Sequence, residues 1–497
     1  TDAYGGKGID GRLRFLIAVI ERMKAVTGGD FPLTLRISGY ERIPGGRDLD
    51  ETQRMAPRLV AAGVDAFHVS GGVSDRLVSQ IVAGAAVRPG HNAAAAQAVK
   101  QVVDVPVMTV GRIHDPEHAE ALLESGQADL IVMGRPLLAD PELPAKAASG
   151  RPLDIRRCIS CETCIDSMAR GTMHCAVNPA TGREAELAIR PAQRRKHVLV
   201  VGGGPAGLEA ARIAALRGHA VTLCEQRRHL GGALVFASAV HPDNAYYLNF
   251  LLRQITRVPV DVRLGRAVTP ESVETMRPDV VVVATGGKVA VPSIPGEAYR
   301  HVLTGPMLRH MMAGTVTRAE ARRCPTWQRG GLTVGGPAID RLCTAARIRW
   351  LSRLWMPLGA RVVVVGADLA AVELAEFLAE RGRHVVLLDE RPKIAPEVGR
   401  KRRAEQMDRL DTLGVVVNTG VSCEQITPLG VRIRTGDGNR RLVEADSVIL
   451  AGEVVADTAL FDAVEGLVAQ AYAIGDCTGL GLIRKATEDA RRVACEI

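Results

Sequence analysis

The feature that most restricts the fold is one pattern used twice. HVLVVGGGPAGLEAARIAALRGHAVTLCEQ begins at His197, and RVVVVGADLAAVELAEFLAERGRHVVLLDE begins at Arg361. Each reads as an apolar strand, a tight turn, a helix and a second apolar strand. Such a unit dictates a parallel sheet, because the helix must cross one face before the chain returns. In the first copy Gly202, Gly204 and Gly207 carry the spacing that a dinucleotide needs. The first glycine permits the turn, the second lets the backbone approach a pyrophosphate, and the third allows close helix–strand packing. The pyrophosphate would rest at the positive end of the helix. Glu225 is expected to close the second strand, where a carboxylate accepts hydrogen bonds from the adenosine ribose.

The second copy keeps Gly366 but places Asp368 at the second glycine position and Ala371 at the third. Alanine is tolerated there. Asp368 either turns a negative charge on a dianionic pyrophosphate or turns away and caps the helix. A nicotinamide nucleotide is the expected occupant. Glu390, taken as the counterpart of Glu225, favours NADH, and the adjacent Arg391 weakens that preference. Two further segments carry glycine after an apolar run, DVVVVATGG from Asp279 and AYAIGDCTG with Gly475 and Asp476. Alone, each reads as a buried strand followed by a turn.

Cys158, Cys161, Cys164 and Cys175 crowd the stretch CISCETCIDSMARGTMHC. Four thiolates on a short loop suit a [4Fe–4S] cluster. Zinc is the alternative, although its sites more often show two separated C-x-x-C pairs or added histidines. Unligated thiols are the third reading. The remaining cysteines, Cys224, Cys324, Cys343, Cys423, Cys477 and Cys495, are scattered singly, so a disulfide framework is not expected.

Before the cysteines, residues 1–150 alternate amphipathic helices with the short apolar runs LTLRIS, AFHVSGG, VPVMTVG and ADLIVMG. A first helix from Arg12 to Val26 is expected to bury Phe15, Leu16, Val19, Ile20 and Met23 on one face. Four strands are too few to close a (β/α)8 barrel. The net charge of +8 is dispersed, and aromatics for stacking on bases are scarce, so nucleic acid is not an expected partner. No apolar run reaches the roughly 18 residues of a membrane span. A cytoplasmic α/β protein is expected.

TDAYGG at the start, LRIS at Leu35–Ser38, TVGRI at Thr109–Ile113 and MGRPLLADPELP from Met133 resemble the second half of an old-yellow-enzyme barrel. DVVVVATGG and AYAIGDCTG resemble the closing FAD signatures of flavoproteins with two dinucleotide-binding domains. With the cysteines between them, the whole chain resembles the family of 2,4-dienoyl-CoA reductase and trimethylamine dehydrogenase. The resemblance implies the C-terminal half of an FMN-binding barrel over 1–150 and a [4Fe–4S] segment over 151–195. It also implies an FAD (or ADP) domain over 196–300 and 445–497 and an NAD(P)H domain over 340–444. Arg36 would lie near the flavin ring, and Gly111, Arg112, Gly134 and Arg135 would hold the FMN phosphate. Asp476 would contact the ribityl–pyrophosphate region. The chain is expected to be N-terminally incomplete, with the usual catalytic acid outside it.

The activity so implied is NAD(P)H-driven reduction of an activated C=C bond in a small molecule. Dehydrogenation of a methylated amine, with an external electron carrier as partner, is the alternative, and the close C-x-x-C-x-x-C start leans that way. An inactive electron-transfer module is the third possibility.

Overall fold

The computed structural model describes residues 4, 6, 8–73, 81–168, 170–323 and 344–497. Most of the TDAYGG opening, Cys324 and Cys343 lie outside the described residues. The chain divides into two units, Thr1–Cys161 and Glu162–Ile497.

The first unit is a parallel four-stranded sheet, β1 (Thr34–Ser38), β2 (Ala66–Ser70), β3 (Val107–Val110) and β4 (Leu130–Val132), in that spatial order. Helix α1 (Ile9–Thr27) precedes β1, and α2 (Leu49–Ala62), α3 (Ala93–Lys100) and α4 (Pro116–Glu124) lie in the crossovers. Strand alternation sends Ile37, Phe67, Val69 and Val107 toward the helices, where Leu13, Ile20, Leu59 and Val99 complete the core. Register sets Arg36, His68, Met108 and Leu130 in one row across the sheet. The expected face of α1 is corrected. Leu13, Leu16, Ile17 and Ile20 pack inward, whereas Phe15, Val19 and Met23 are exposed. The helix carries two apolar stripes, and spacing alone does not say which one meets the sheet.

The second unit contains two parallel five-stranded sheets. In the first, β5 (His197–Val201) is flanked by β6 (Ala220–Glu225) and β8 (Val280–Val283), with β7 (Val260–Leu264) and β14 (Gln470–Ala473) at the edges. In the second, β10 (Arg361–Val365) lies between β11 (His384–Asp389) and β13 (Ser447–Leu450), with β12 (Val416–Thr419) and β9 (Val302–Thr304) outermost. The central strands are valine-rich because layers cover both of their faces. The expected resumption of the first nucleotide domain at 445 is corrected: Ser447–Leu450 pairs with Arg361–Val365 and belongs to the second sheet. Val302–Thr304 belongs there too, well before residue 340. An antiparallel three-stranded sheet, Ser422–Thr427, Gly430–Arg434 and Arg440–Glu444, leads back to β13.

Candidate cofactor-binding sites

In the first nucleotide fold, three separate segments meet at the carboxyl ends of β5, β8 and β14. Gly202 has φ +111°, and a Cβ there would lie 2.4 Å from the Ala284 carbonyl oxygen. A Cβ on Gly207, in α7 (Pro205–Leu216), would sit 1.9 Å from the Gly202 carbonyl oxygen. Both glycines are therefore required by contact. Gly204 is different: it caps α7 in extended backbone, no side chain caps the helix, and a Cβ would meet nothing within 4 Å. That open space before a helix N-terminus is where a pyrophosphate approaches.

Glu225 ends β6 and is buried. Its Oε2 accepts from the Gly203 amide at 2.6 Å and its Oε1 from the Arg227 amide at 2.8 Å. The carboxylate is thereby fixed at the rim of the turn, with lone pairs remaining for ribose hydroxyls. Asp476 accepts from the Gly481 amide at 3.1 Å, and burial raises its pKa. Lys485 anchors the same turn through the Gly475 carbonyl at 2.8 Å and Asp489 at 2.8 Å. A Cβ on Gly287 would meet the Asp476 carbonyl at 2.8 Å, so the ATGG and IGD segments lie against each other. The residues present fit an adenine dinucleotide.

The second fold repeats the backbone with different chemistry. Asp368 caps α8 (Leu369–Ala379), its Oδ1 accepting from the Ala371 amide at 2.8 Å. Glu397 accepts from the Leu369 amide at 3.2 Å. Two internal carboxylates thus occupy the helix end that would receive a pyrophosphate. Burial pushes the Asp368 carboxyl up to about 6, with Glu397 adding repulsion.

The ribose carboxylate is also corrected. Asp389, not Glu390, ends β11 and accepts from the Ala367 amide at 2.6 Å and the Arg391 amide at 2.7 Å, as Glu225 does in the first fold. Glu390 is exposed. Arg391 forms a bidentate pair with Asp389, Nε and Nη2 donating at 2.9 and 2.7 Å, which offsets the charge that would select NADH.

On the barrel-like sheet, Arg36 is exposed beside His68. Burial first, and then the Arg36 charge, hold His68 below its ordinary pKa. Gly111 has φ +139°, and a Cβ there would strike the His91 ring at 2.7 Å. Arg112 donates to the Val87 carbonyl and, through Nε, to Ser160 Oγ at 3.0 Å. Arg135, at the start of α5 (Arg135–Ala139), donates to the Ala83 carbonyl at 2.7 Å. Gly134 precedes it with open space where a Cβ would be. Both guanidiniums therefore fasten one loop, and a phosphate would share them with these carbonyls. Sequence reasoning passed over His114, which joins this group. Burial and the charges of Arg135 and Arg112 push its pKa down to about 3, so the ring is neutral and its Nδ1–H donates to the Cys158 carbonyl at 3.1 Å.

Cys158 and Cys161 belong to the first unit, and Cys164 and Cys175 to the second. Among the described residues no group of three or more His, Cys, Asp or Glu side chains is placed to hold a metal ion. The donor chemistry nevertheless suits an iron–sulfur group. Cys158 and Cys164 are buried, and the Ser160 amide donates to Cys158 Sγ at 3.4 Å, a bond that favours thiolate. In the second unit, buried Ser167 donates to the Cys164 carbonyl at 3.1 Å and accepts from the His174 amide at 3.0 Å. This ties the stretch before Cys175 to α6 (Thr163–Met168), the helix carrying Cys164. Thr487 of the C-terminal helix α10 (Leu482–Glu496) donates to the Ala176 carbonyl at 2.9 Å.

A barrel-type parallel sheet joined to paired dinucleotide folds is the architecture of a flavin-dependent oxidoreductase. Residues 1–154 match the NADH:flavin oxidoreductase / NADH oxidase family, and residues 196–490 match the pyridine nucleotide-disulphide oxidoreductase family. The chain belongs to the NADH:flavin oxidoreductase family and carries a pyridine nucleotide-disulphide oxidoreductase domain. It is 33% identical to an NADH oxidase of Thermoanaerobacter brockii over all of this chain and 71% of that one. It is 38% identical to an N,N-dimethylglycine/sarcosine dehydrogenase of Chromohalobacter salexigens over 60% of this chain and 44% of that one. A solved 2-naphthoyl-CoA reductase complex superposes with a TM-score of 0.86 at 30% identity, covering all of this chain and 70% of that one. No helix among the described residues is long and apolar enough to cross a membrane.

Proposed function

We propose that this chain is the electron-handling part of a flavin and iron–sulfur reductase that adds two electrons and two protons across an activated C=C bond, with NAD(P)H as the reductant. The observation that carries this reading is the first nucleotide fold. Its Gly204 helix end is uncapped, and Glu225 and Asp476 are fixed around it, in a chain whose other unit carries Arg36 on a barrel-type sheet. When bound, FAD, a [4Fe–4S] cluster and FMN interconvert hydride and single-electron chemistry.

The chain's own residues bind and orient. The amides at the start of α7 would hold the dinucleotide phosphates, and Glu225 the ribose. Arg36 would supply positive charge to a reduced flavin, and Arg112 and Arg135 to the FMN phosphate. Cys158, Cys161, Cys164 and Cys175 are the proposed cluster ligands. Nicotinamide entry into the second fold requires Asp368 and Glu397 to release two amides, and that cost falls as Asp368 protonates near pH 6. A full-length enzyme containing this chain should be bleached anaerobically by NADH or NADPH and reoxidised by an enoate or enoyl thioester.

The second reading, dehydrogenation of a methylated amine, is favoured by the self-capped Asp368 turn. Bleaching by a methylated amine but by neither nicotinamide would establish it and refute the first. Iron content tests the cluster separately. About four irons per chain are expected, and Cys164→Ser should lose most of them; undiminished iron in that variant would remove Cys164 from the ligand set.

A further inference from the structure

Glu397, at the blocked pyrophosphate seat, lies two residues before a contact with the cysteine-bearing helix. The Gly399 amide donates to Asp166 Oδ2 at 3.0 Å, and Asp166 belongs to α6 with Cys164. Gly399 has φ −71°, so its backbone does not call for glycine; the space does. A Cβ there would fall 1.9 Å from Asp166 Oδ1. Two residues further, Lys401 in α9 (Arg400–Thr412) pairs with Glu162 and, at 2.7 Å, with Glu405. The Lys401 side chain is 8% exposed and that of Glu162 is 1% exposed, so this ion pair is formed out of water. Glu162 stands between Cys161 and Cys164 in the sequence, with φ +62°. A buried carboxylate is costly unless a cation or hydrogen bonds offset it, and Lys401 supplies the cation here.

The other end of the segment is equally fixed. The Ala395 amide donates to the Ala367 carbonyl, inside the pyrophosphate turn, at 2.6 Å, and Ala395 is held at φ +41°. Arg403 reaches back to the Val398 carbonyl at 2.8 Å. Residues 395–401 therefore form a short strap. It touches the nucleotide turn through Ala395 and Glu397, and the cysteine helix through Gly399 and Lys401.

We propose that this strap couples the pyrophosphate seat of the second nucleotide fold to the iron–sulfur site, with Gly399 and Lys401 as positioning residues for α6 and Glu397 as the group that senses occupancy of the seat. A dinucleotide would displace the Glu397 carboxylate from the Leu369 amide, and residues 395–401, which touch the turn at one end and α6 at the other, are the covalent route by which that change reaches the cysteine helix. By reciprocity, the state of the cluster biases the same seat. The proposal rests on the cluster reading above.

The test uses the iron-loaded holoenzyme and compares wild type with Lys401→Met, Lys401→Arg and Glu397→Gln. The readouts are the electron paramagnetic resonance spectrum of the reduced cluster, the rate of iron loss to a chelator and the melting temperature. Lys401→Met should change the spectrum and speed iron loss on the order of 10-fold, as loss of a partner supporting a metal ligand does. Lys401→Arg should restore both. Glu397→Gln, a conservative change outside the cysteine segment, should move the spectrum the same way by less. If Lys401→Met does not fold, Glu397→Gln decides alone. Wild-type spectra and iron-loss rates in Lys401→Met and Glu397→Gln, whatever their melting temperatures, would overturn the coupling. A wild-type protein that takes up no iron overturns the cluster reading and the coupling together.

Discussion

The two nucleotide folds share a strand–turn–helix backbone and differ at the helix cap. Where the first has Gly204 and an open helix end, the second has Asp368, whose carboxylate takes the amide that a phosphate would use. The carboxylate that ends the second strand is placed alike in both, Glu225 in one and Asp389 in the other, each held by two backbone amides. Two carboxylates at the helix end, Asp368 as its cap and Glu397 beside it, therefore satisfy from within the amides that the first fold leaves to a ligand. A shared fold does not establish a shared ligand.

The comparison breaks most violently at Gly207. Gly207→Ala drives a methyl into the Gly202 carbonyl and should destabilise by at least the upper end of the ~1–3 kcal/mol that overpacking costs. Denaturant melts should show the loss, with flavin lost in parallel. The second fold already accommodates the buried Ala371 at this place, so Ala371→Gly should cost no more than about 1 kcal/mol.

Gly204→Asp transplants the cap of the second fold into the first. Because a Cβ at 204 meets nothing, melting should change little, whereas affinity for FAD or ADP should fall on the order of 100-fold through charge repulsion. Calorimetry reading unchanged affinity would remove Gly204 from the site.

The reverse exchange is milder. Asp368→Asn keeps a capping side chain but removes the charge, and ADP-ribose affinity at pH 8 should rise about 10-fold. In wild type the same affinity should climb as pH falls through about 6, where Asp368 protonates, and this dependence should be absent from the variant.

Stability provides the smallest effect. The raised carboxyl pKa means that the native state holds a proton which the unfolded chain releases near pH 4. Stability therefore declines as pH rises from 4 through 6, and the penalty persists above that. Asp368→Asn should recover about 1–2 kcal/mol at pH 7.5 and close to none at pH 4.

Much of this contrast was legible in the sequence. The strands at Val198 and Val362 announce themselves by uninterrupted apolar runs, and Gly202, Gly204 and Gly207 by spacing. What local pattern could not decide were matters of partner. Either stripe of α1 could have met the sheet. Ser447–Leu450 is apolar enough for either sheet and was misassigned. Asp389 and Glu390 are adjacent acids, and the step from Gly202 to Glu225, repeated from Gly366, lands on Asp389, a spacing signal that was passed over and that the Ala367 amide bond bears out. Asp368 as a cap was one of two readings permitted by the same residues. His114 and the strap at 395–401 offered no local signal, since their meaning lies in contacts with residues far away in the chain.

Gly399 also constrains history. A methyl group at that position would require the Asp166 carboxylate, more than two hundred places earlier in the chain, to move and give up its bond to the Gly399 amide. Exchange of glycine at 399 is therefore easier after shortening of the acid at 166, so in descendants of this chain the two sites should tend to change as a pair. A nucleotide fold transplanted from a relative would carry the wrong partner for α6 unless residue 166 travelled with it.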